Sequence, residues 1–268
     1  MKLNEAYSAL RRRLARITDE AAPEAALLFS RFMGVRSPAL TPDAEADEAR
    51  LAELFSALER REKGEPIQYV LGSWGFMGLE FTVSPEALIP RQDTETLCEE
   101  ALRLISERGY KTLLDICTGT GCIAVSLASI SGIRTEASDV SPACAALARR
   151  NAERNGVDMT VRTADLFEGA GRYDIVTANP PYIPDAELDS LQREVAFEPR
   201  LALAGGPDGL ALYRRIAAEA EAHVTPGGAL LMEVGLGEAR SVAALFPKNT
   251  VRILPDLNGI ERVVEVFF

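Results

Sequence analysis

The chain has 268 residues, enough for one large domain with a small companion at about 150 residues per domain. A composition of 47% hydrophobic and 26% charged residues excludes wholesale disorder and fibrous repeats. Forty acidic against 29 basic residues leave a net charge of -11, which argues against a partner held mainly through phosphate contacts.

The first part of the chain reads as helical. Leu3, Tyr7, Leu10, Leu14 and Ile17 recur at spacings of three and four. Pro23 opens a second helix with a stripe at Leu27, Leu28 and Phe32 that stops at Gly34. Thr41-Pro42 has the form of an N-cap followed by a first-turn proline, starting a third helix with Leu51, Leu54, Phe55 and Leu58 inward. These helices predict a small N-terminal domain over residues 1–66. Next, Tyr69-Val70-Leu71 and Leu79–Val83 flank a glycine-rich stretch and predict a β-hairpin connector over residues 67–90. A larger domain over residues 91–268 follows. Strands are expected at Thr112–Ile116, Arg134–Ser138, Thr160–Thr163, Tyr173–Ala178 and Ala229–Val234, with a closing pair at Val251–Leu254 and Arg262–Phe268. Helices alternate with them, from Ile123 and over Pro142–Asn155, so the expected fold is α/β with a mostly parallel sheet. In such sheets ligands lie beyond the carboxyl ends of the strands.

The longest stretch without a charged residue, Ile116–Ile133, is too rich in Gly, Ser and Thr to span a membrane, and no apolar signal core follows Glu5. Cys98, Cys117, Cys122 and Cys144 form no CxxC pair, and a single histidine leaves no Cys/His metal site. The expectation is a reduced, cytoplasmic protein with no metal and no membrane partner. His223 stands where a helix ends before Thr225-Pro226-Gly227-Gly228, and a favourable charge at a helix C-terminus accounts for it.

Three turns carry chemistry. After the first sheet strand come Asp115, Cys117, Thr118, Gly119, Thr120 and Gly121, where glycines let backbone approach a ligand closely. The dinucleotide pattern Gly-x-Gly-x-x-Gly is absent because residue 124 is Ala. Asp115 in the strand that leads into this turn would repel a pyrophosphate and suit a cationic ligand. Asp139, ending the second strand, is placed to accept hydrogen bonds from two ribose hydroxyls, or alternatively to cap the helix that follows. Asp165-Leu166-Phe167 supplies an acid for an adenine amine and a ring for its face. Adenosine with a cationic group and no phosphate describes S-adenosylmethionine.

The fourth strand ends in Asn179-Pro180-Pro181-Tyr182. Two prolines stiffen this loop and remove its N–H donors. The Asn179 side-chain carbonyl and the Pro180 backbone carbonyl can accept both hydrogens of a planar –NH2 group, with Tyr182 packed on its face. Fixed acceptors orient the nitrogen toward an incoming methyl group and stabilise the charge that develops on it. Asn-Pro-Pro is also ordinary turn chemistry, and that reading stays open here.

Asp115–Gly121, Asp139 and Asn179–Tyr182 together resemble the class I S-adenosylmethionine-dependent methyltransferases, a Rossmann-like fold whose mostly parallel sheet carries an antiparallel terminal strand. Residues 64–72, Ile89–Glu95, Glu198–Leu210 and Gly259–Val264 make the chain similar to one branch, the HemK/PrmC protein-glutamine methyltransferases. The resemblance implies methyl transfer to the glutamine of the Gly-Gly-Gln loop in class 1 peptide chain release factors, with the N-terminal domain docking the factor and no direct nucleic acid binding. Cofactor residues are then Cys117, Thr118, Gly119, Thr120, Gly121, Asp139, Phe167 and Asn179. Substrate residues are Asn179, Pro180, Pro181 and Tyr182, the first two and Tyr182 being catalytic in a displacement that needs no strong base from His, Lys or Cys. The alternatives are a glutamine in a ribosomal protein, an exocyclic amine in nucleic acid, or a cofactor-binding sensor without activity. Cys117, Gln92 and Glu238 depart from the family's usual glycine, proline and glutamine.

Overall fold

The computed structural model describes residues 1–35 and 44–268. The chain divides into two units, Met1–Gly72 with Arg193–Phe197, and Ser73–Gln192 with Glu198–Phe268.

The first unit is built on α1 (Leu3–Leu14), α2 (Ala21–Met33), α3 (Glu48–Glu62) and the short α4 (Ile67–Leu71). Its core joins Leu10, Leu14, Leu28, Phe29, Leu54 and Leu58 with Ile67 and Val70. Each such buried side chain stabilises the unit by about 1.5–3 kcal/mol. Two positions of the expected stripes fall outside this core. Ile17 lies beyond the end of α1 and is exposed, and Leu27 is exposed because α2 turns Ala25, Leu28, Phe29 and Met33 inward. Asp47 caps α3, its carboxylate accepting from the Arg50 N–H; the expected cap at Thr41-Pro42 lies outside the described residues. Arg61 is buried and makes a paired hydrogen bond to the Glu24 carboxylate, and it also reaches Glu194 at 2.6 Å.

The expected strand at Tyr69–Leu71 is helix α4 instead, because Pro66 starts a turn that Gly72 ends in the left-handed conformation. The hairpin lies just beyond, as β1 (Ser73–Phe76) and β2 (Leu79–Thr82). Met77 and Gly78, both with positive φ, form its two-residue turn.

In the second unit, α5 (Thr94–Arg108) precedes β3 (Thr112–Ile116), α6 (Cys122–Ser131), β4 (Arg134–Asp139), α7 (Pro142–Arg154), β5 (Thr160–Thr163) and β6 (Tyr173–Ala178). Short 3-10 turns and α8 (Arg200–Leu203) lead to α9 (Ala211–His223), β7 (Val224–Glu233), α10 (Ala239–Ala243), β8 (Thr250–Pro255) and β9 (Glu261–Phe267). The sheet order is β5-β4-β3-β6-β7-β9-β8; β3 to β7 run parallel and β9 runs antiparallel between β7 and β8. The strand expected at Ala229–Val234 starts earlier, at Val224, and takes in Thr225–Gly228 as β7. Alternate strand residues feed two cores: Leu113, Ile175 and Leu231 pack toward α5 and α6, while Leu114, Val176 and Leu230 pack toward α9 and α10. The chain builds outward from β3 to β5 and returns at β6 on the other side of β3, so a crevice opens above these two strands.

Candidate active site

The turn between β3 and α6 is held by backbone and side chains together. Thr118 N–H donates to the Ser138 carbonyl at 3.1 Å, and Gly121 N–H to the Thr118 carbonyl at 2.8 Å. Gly119 N–H donates to Asp139 Oδ2 at 2.9 Å, tying the turn to the end of β4. Gly121 has φ +80°, and a Cβ there would meet the Ala148 Cβ of α7 at 3.0 Å, so the helix start requires glycine. Buried Asn151 of α7 braces the other side, donating to the Thr120 carbonyl at 2.8 Å. Cys117 has φ +56°. That is the left-handed region, which explains why glycine suits this position and places strain in the turn.

A cavity of about 430 Å³ opens above β3, β4 and β6, within the usual range of about 300–1,000 Å³ for small-molecule sites. Of the residues expected to hold a cofactor or substrate, Cys117, Thr118, Gly119, Thr120, Asp139, Asn179 and Pro181 line it. Gly121, Phe167, Pro180 and Tyr182 do not. Phe167 is buried and stacks on His223, ring centroids 4.7 Å apart. Leu166, at φ +49°, lines the cavity in its place. His223 ends α9, as expected, and its Nδ1 lies 2.9 Å from the Gly171 carbonyl.

Asp115 does not face the cavity either. It is fully buried, and its oxygens accept from the hydroxyls of Thr118 at 2.5 Å and Thr177 at 2.7 Å, so it braces the turn from beneath. Burial pushes its carboxyl up to about 7 against those two hydrogen bonds. Asp139 does line the cavity. Its two oxygens accept from Gly119 and Ser141 N–H, each at 2.9 Å, and burial raises its pKa above the usual carboxylate value. The capping of α7 falls to Ser141, which accepts from Cys144 N–H.

The lining carries two guanidinium groups, Arg91 and Arg215, and each is already paired, with Glu198 and with Asp165 respectively. Asp139 has no cationic partner among the described residues. The wall is therefore acidic where a ligand would meet it, which suits a cationic or neutral ligand and disfavours a phosphate. Three thiols, Cys117, Cys122 and Cys144, also border the cavity. Burial raises each of them, Cys122 up to about 12, so they remain protonated at neutral pH and supply no base.

The loop after β6 is held by main-chain bonds to the end of α8 and the segment after it. Ile183 N–H donates to the Leu203 carbonyl at 2.9 Å, and Gly205 N–H to the Ile183 carbonyl at 2.8 Å. Gly209, with φ +79°, lies so close to the Tyr182 carbonyl and Glu238 carboxylate that a Cβ would overlap both. Burial raises the Tyr182 hydroxyl to about 12. Asn179 donates from Nδ2 to Thr94 Oγ1 at 3.4 Å.

Two family models match the chain: the PrmC N-terminal domain over residues 5–72 and the methyltransferase small domain over residues 97–197. The release factor glutamine methyltransferase of Geobacter sulfurreducens is 46% identical over 221 residues, covering 80% of this chain and 77% of its own length. That of Moorella thermoacetica is 37% identical over 274 residues, covering 98% and 97%. The chain belongs to the release factor glutamine methyltransferases. Their family and fold are those of S-adenosylmethionine-dependent methyltransferases. Among solved structures, a Pyrococcus furiosus methyltransferase shares the fold at a TM-score of 0.53 and 18% identity, over 82% of this chain and 98% of its own. The hMettl16 catalytic domain, solved with the MAT2A 3'UTR hairpin 1, does so at 0.56 and 16%, over 82% and 80%.

The geometry also explains two segments that marked this release factor branch in the sequence. In residues 89–95, Arg91 pairs with Glu198, Ile89 N–H donates to the same carboxylate at 3.1 Å, and Glu95 accepts from Met77 N–H at 2.7 Å. Thr94 of that segment and Glu233 at the end of β7 flank Asn179 from behind, a contact that no local pattern announces.

Proposed function

We propose that this protein transfers a methyl group from S-adenosylmethionine to the side-chain amide nitrogen of the glutamine in the Gly-Gly-Gln loop of class 1 peptide chain release factors. The observation that carries the reading is that Asn179 and Pro181 line the same acidic cavity as Thr118–Thr120 and Asp139. The cofactor's fit rests on that wall: Asp139 keeps acceptor capacity for ribose hydroxyls beyond its two backbone donors, and every lining guanidinium is engaged elsewhere. Leu166, in place of Phe167, gives the apolar surface for the adenine. When bound, S-adenosylmethionine supplies the sulfonium methyl that the amide nitrogen takes by displacement.

Asn179 Oδ1 accepts one N–H bond of the glutamine amide, and the Pro180 carbonyl, next in the chain though outside the cavity lining, accepts the other, holding its nitrogen in one orientation. These acceptors stabilise the positive charge that grows on nitrogen, and the rate comes from positioning and electrostatics. The methylated nitrogen then releases its proton to water without help from a strong base, in keeping with lining thiols that stay protonated. The first unit serves as the docking part for the release factor, and no direct nucleic acid contact enters the reaction.

Labelled-methyl incubation with purified release factor, intact ribosomes and total RNA, followed by mass spectrometry of the labelled peptide, tests the reading. Label on the Gly-Gly-Gln glutamine is expected. Label in a ribosomal protein or in RNA, with none in the release factor, would overturn it.

A further inference from the structure

We propose that Glu233, together with Thr94, is the positioning residue that turns the Asn179 amide so that its nitrogen faces the protein and its carbonyl oxygen faces the cavity. The proposal rests on the reading of Asn179 as the acceptor of the substrate amide. A side-chain amide has a donating end and an accepting end, and catalysis by acceptance requires the oxygen outward. Nothing in Asn179 itself selects that end. The selection comes from the strand beside it.

Ala178 pairs with Met232 across β6 and β7, so Asn179 and Glu233 are the next residues on neighbouring parallel strands. Glu233 is 2% exposed and does not line the cavity, whereas Asn179 and Thr94 do. Its carboxyl borders the Thr94 hydroxyl and the Asn179 amide, and both favour its charged form. Burial raises this carboxyl to about 7 against them; once ionised it has no hydrogen to give, so the nitrogen end of Asn179 faces it. Thr94 adds a second contact: its oxygen accepts from Asn179 Nδ2 at 3.4 Å, and its hydroxyl borders Glu233. The root of Glu233 is fixed, because its backbone carbonyl accepts from the Tyr213 hydroxyl at 2.7 Å and β9 pairs along its other edge.

The acid is costly where it stands. Oε2 has no hydrogen-bond partner among the described residues, and Arg262, the cation that lowers its pKa, is bound to Asp93 at 3.2 Å and lies 3.5 Å from Asp256. A buried carboxyl without a dedicated ion-pair partner destabilises the fold. A role in orienting Asn179 accounts for its place at the mouth of the sheet.

The test uses the full chain with release factor as methyl acceptor, and compares turnover, cofactor affinity and thermal midpoint. Glu233→Met removes the acceptor and should lower kcat roughly 10- to 100-fold, with cofactor Kd and release factor KM within about twofold. Glu233→Gln keeps one carbonyl acceptor and should fall between Met and wild type. Asn179→Asp alone sets two acids against each other and should be nearly inactive above about pH 8, where the pair has lost its shared proton. Combined with Glu233→Gln, it should regain about tenfold over the single variant, since glutamine now donates to one aspartate oxygen and leaves the other outward. Wild-type kcat in the Met variant, or a double variant no better than Asn179→Asp, would overturn the proposal while leaving Asn179 as an acceptor. Wild-type turnover in Asn179→Ala would instead remove the reading on which it stands.

Discussion

The two walls of the cavity present different groups to a ligand. On the side of β3 and β4, the turn is shaped by main-chain hydrogen bonds, positive φ angles and a glycine packed against Ala148, with side chains mostly braced beneath. On the side of β6 and β7, prolines remove donors, main-chain bonds tie Ile183 to Leu203, and the Asn179 side chain, bonded to Thr94, offers its atoms to the cavity. Backbone can cradle a ligand of fixed shape almost regardless of which small side chains line it. An amide that must be gripped by its two N–H bonds demands acceptors at particular atoms. The cofactor wall should therefore tolerate substitution better than the acceptor wall, except where a side chain touches the ligand or φ is positive.

The strongest test of that contrast is Asn179→Ala. It should lower kcat about 10²- to 10³-fold, the usual loss when one preorganised partner of a developing charge is removed, with cofactor binding within about twofold by calorimetry. Asp139→Ala is the reverse case. Loss of two ribose hydrogen bonds should weaken cofactor binding by about 1–3 kcal/mol while kcat at saturation changes little. Affinity in the wild type should also fall on acidification, because burial raises the Asp139 pKa and the protonated acid accepts less well. If both variants damage kcat alike, the division between the walls is wrong.

Asp115 provides a gentler test through stability. Its carboxyl stands at about 7 in the folded protein against 3.8 as its reference. A raised folded pKa means the folded state holds the proton more tightly. Asp115 therefore contributes stability that is fully present below about pH 4 and is lost as pH rises through about 7. Asp115→Asn should flatten that part of the stability profile, measured by urea unfolding between pH 4 and 8. The smallest effect is expected for Cys117→Gly. Relief of the left-handed strain and greater freedom of the unfolded chain oppose each other, so stability should move by less than about 1 kcal/mol and turnover should be kept.

Much of this wall-and-strand plan could be read from residue patterns. The strands from Thr112 to Phe268 alternate with helices, and Asn179–Tyr182 declares a stiff, donor-poor loop by its composition alone. Asp139 was placed by its position at a strand end. What escaped was set by contacts or by single backbone angles. Leu166 at φ +49° redirects the loop after β5, so the leucine meets the cavity and Phe167 turns into the core, a choice that hydropathy does not distinguish. Tyr69–Leu71 is a three-residue apolar run, too short to show a period, and Pro66 and Gly72 made it a helix. Asp115, expected to meet a cationic ligand, is instead bonded beneath the turn by Thr118 and by Thr177, 62 residues away. Glu233 and Thr94 gain their meaning only when β6 lies beside β7 and α5 begins behind them.

The ring of thiols around the cavity gives the molecule a built-in reporter. Because Cys117, Cys122 and Cys144 are uncharged and sit where a bound nucleoside would shield them, a neutral maleimide or iodoacetamide should modify them slowly in the free protein and more slowly still once the site is filled. Alkylation kinetics, followed by intact mass, would then give occupancy without any methyl acceptor in the tube, and would separate ligand entry from the chemistry that comes after it.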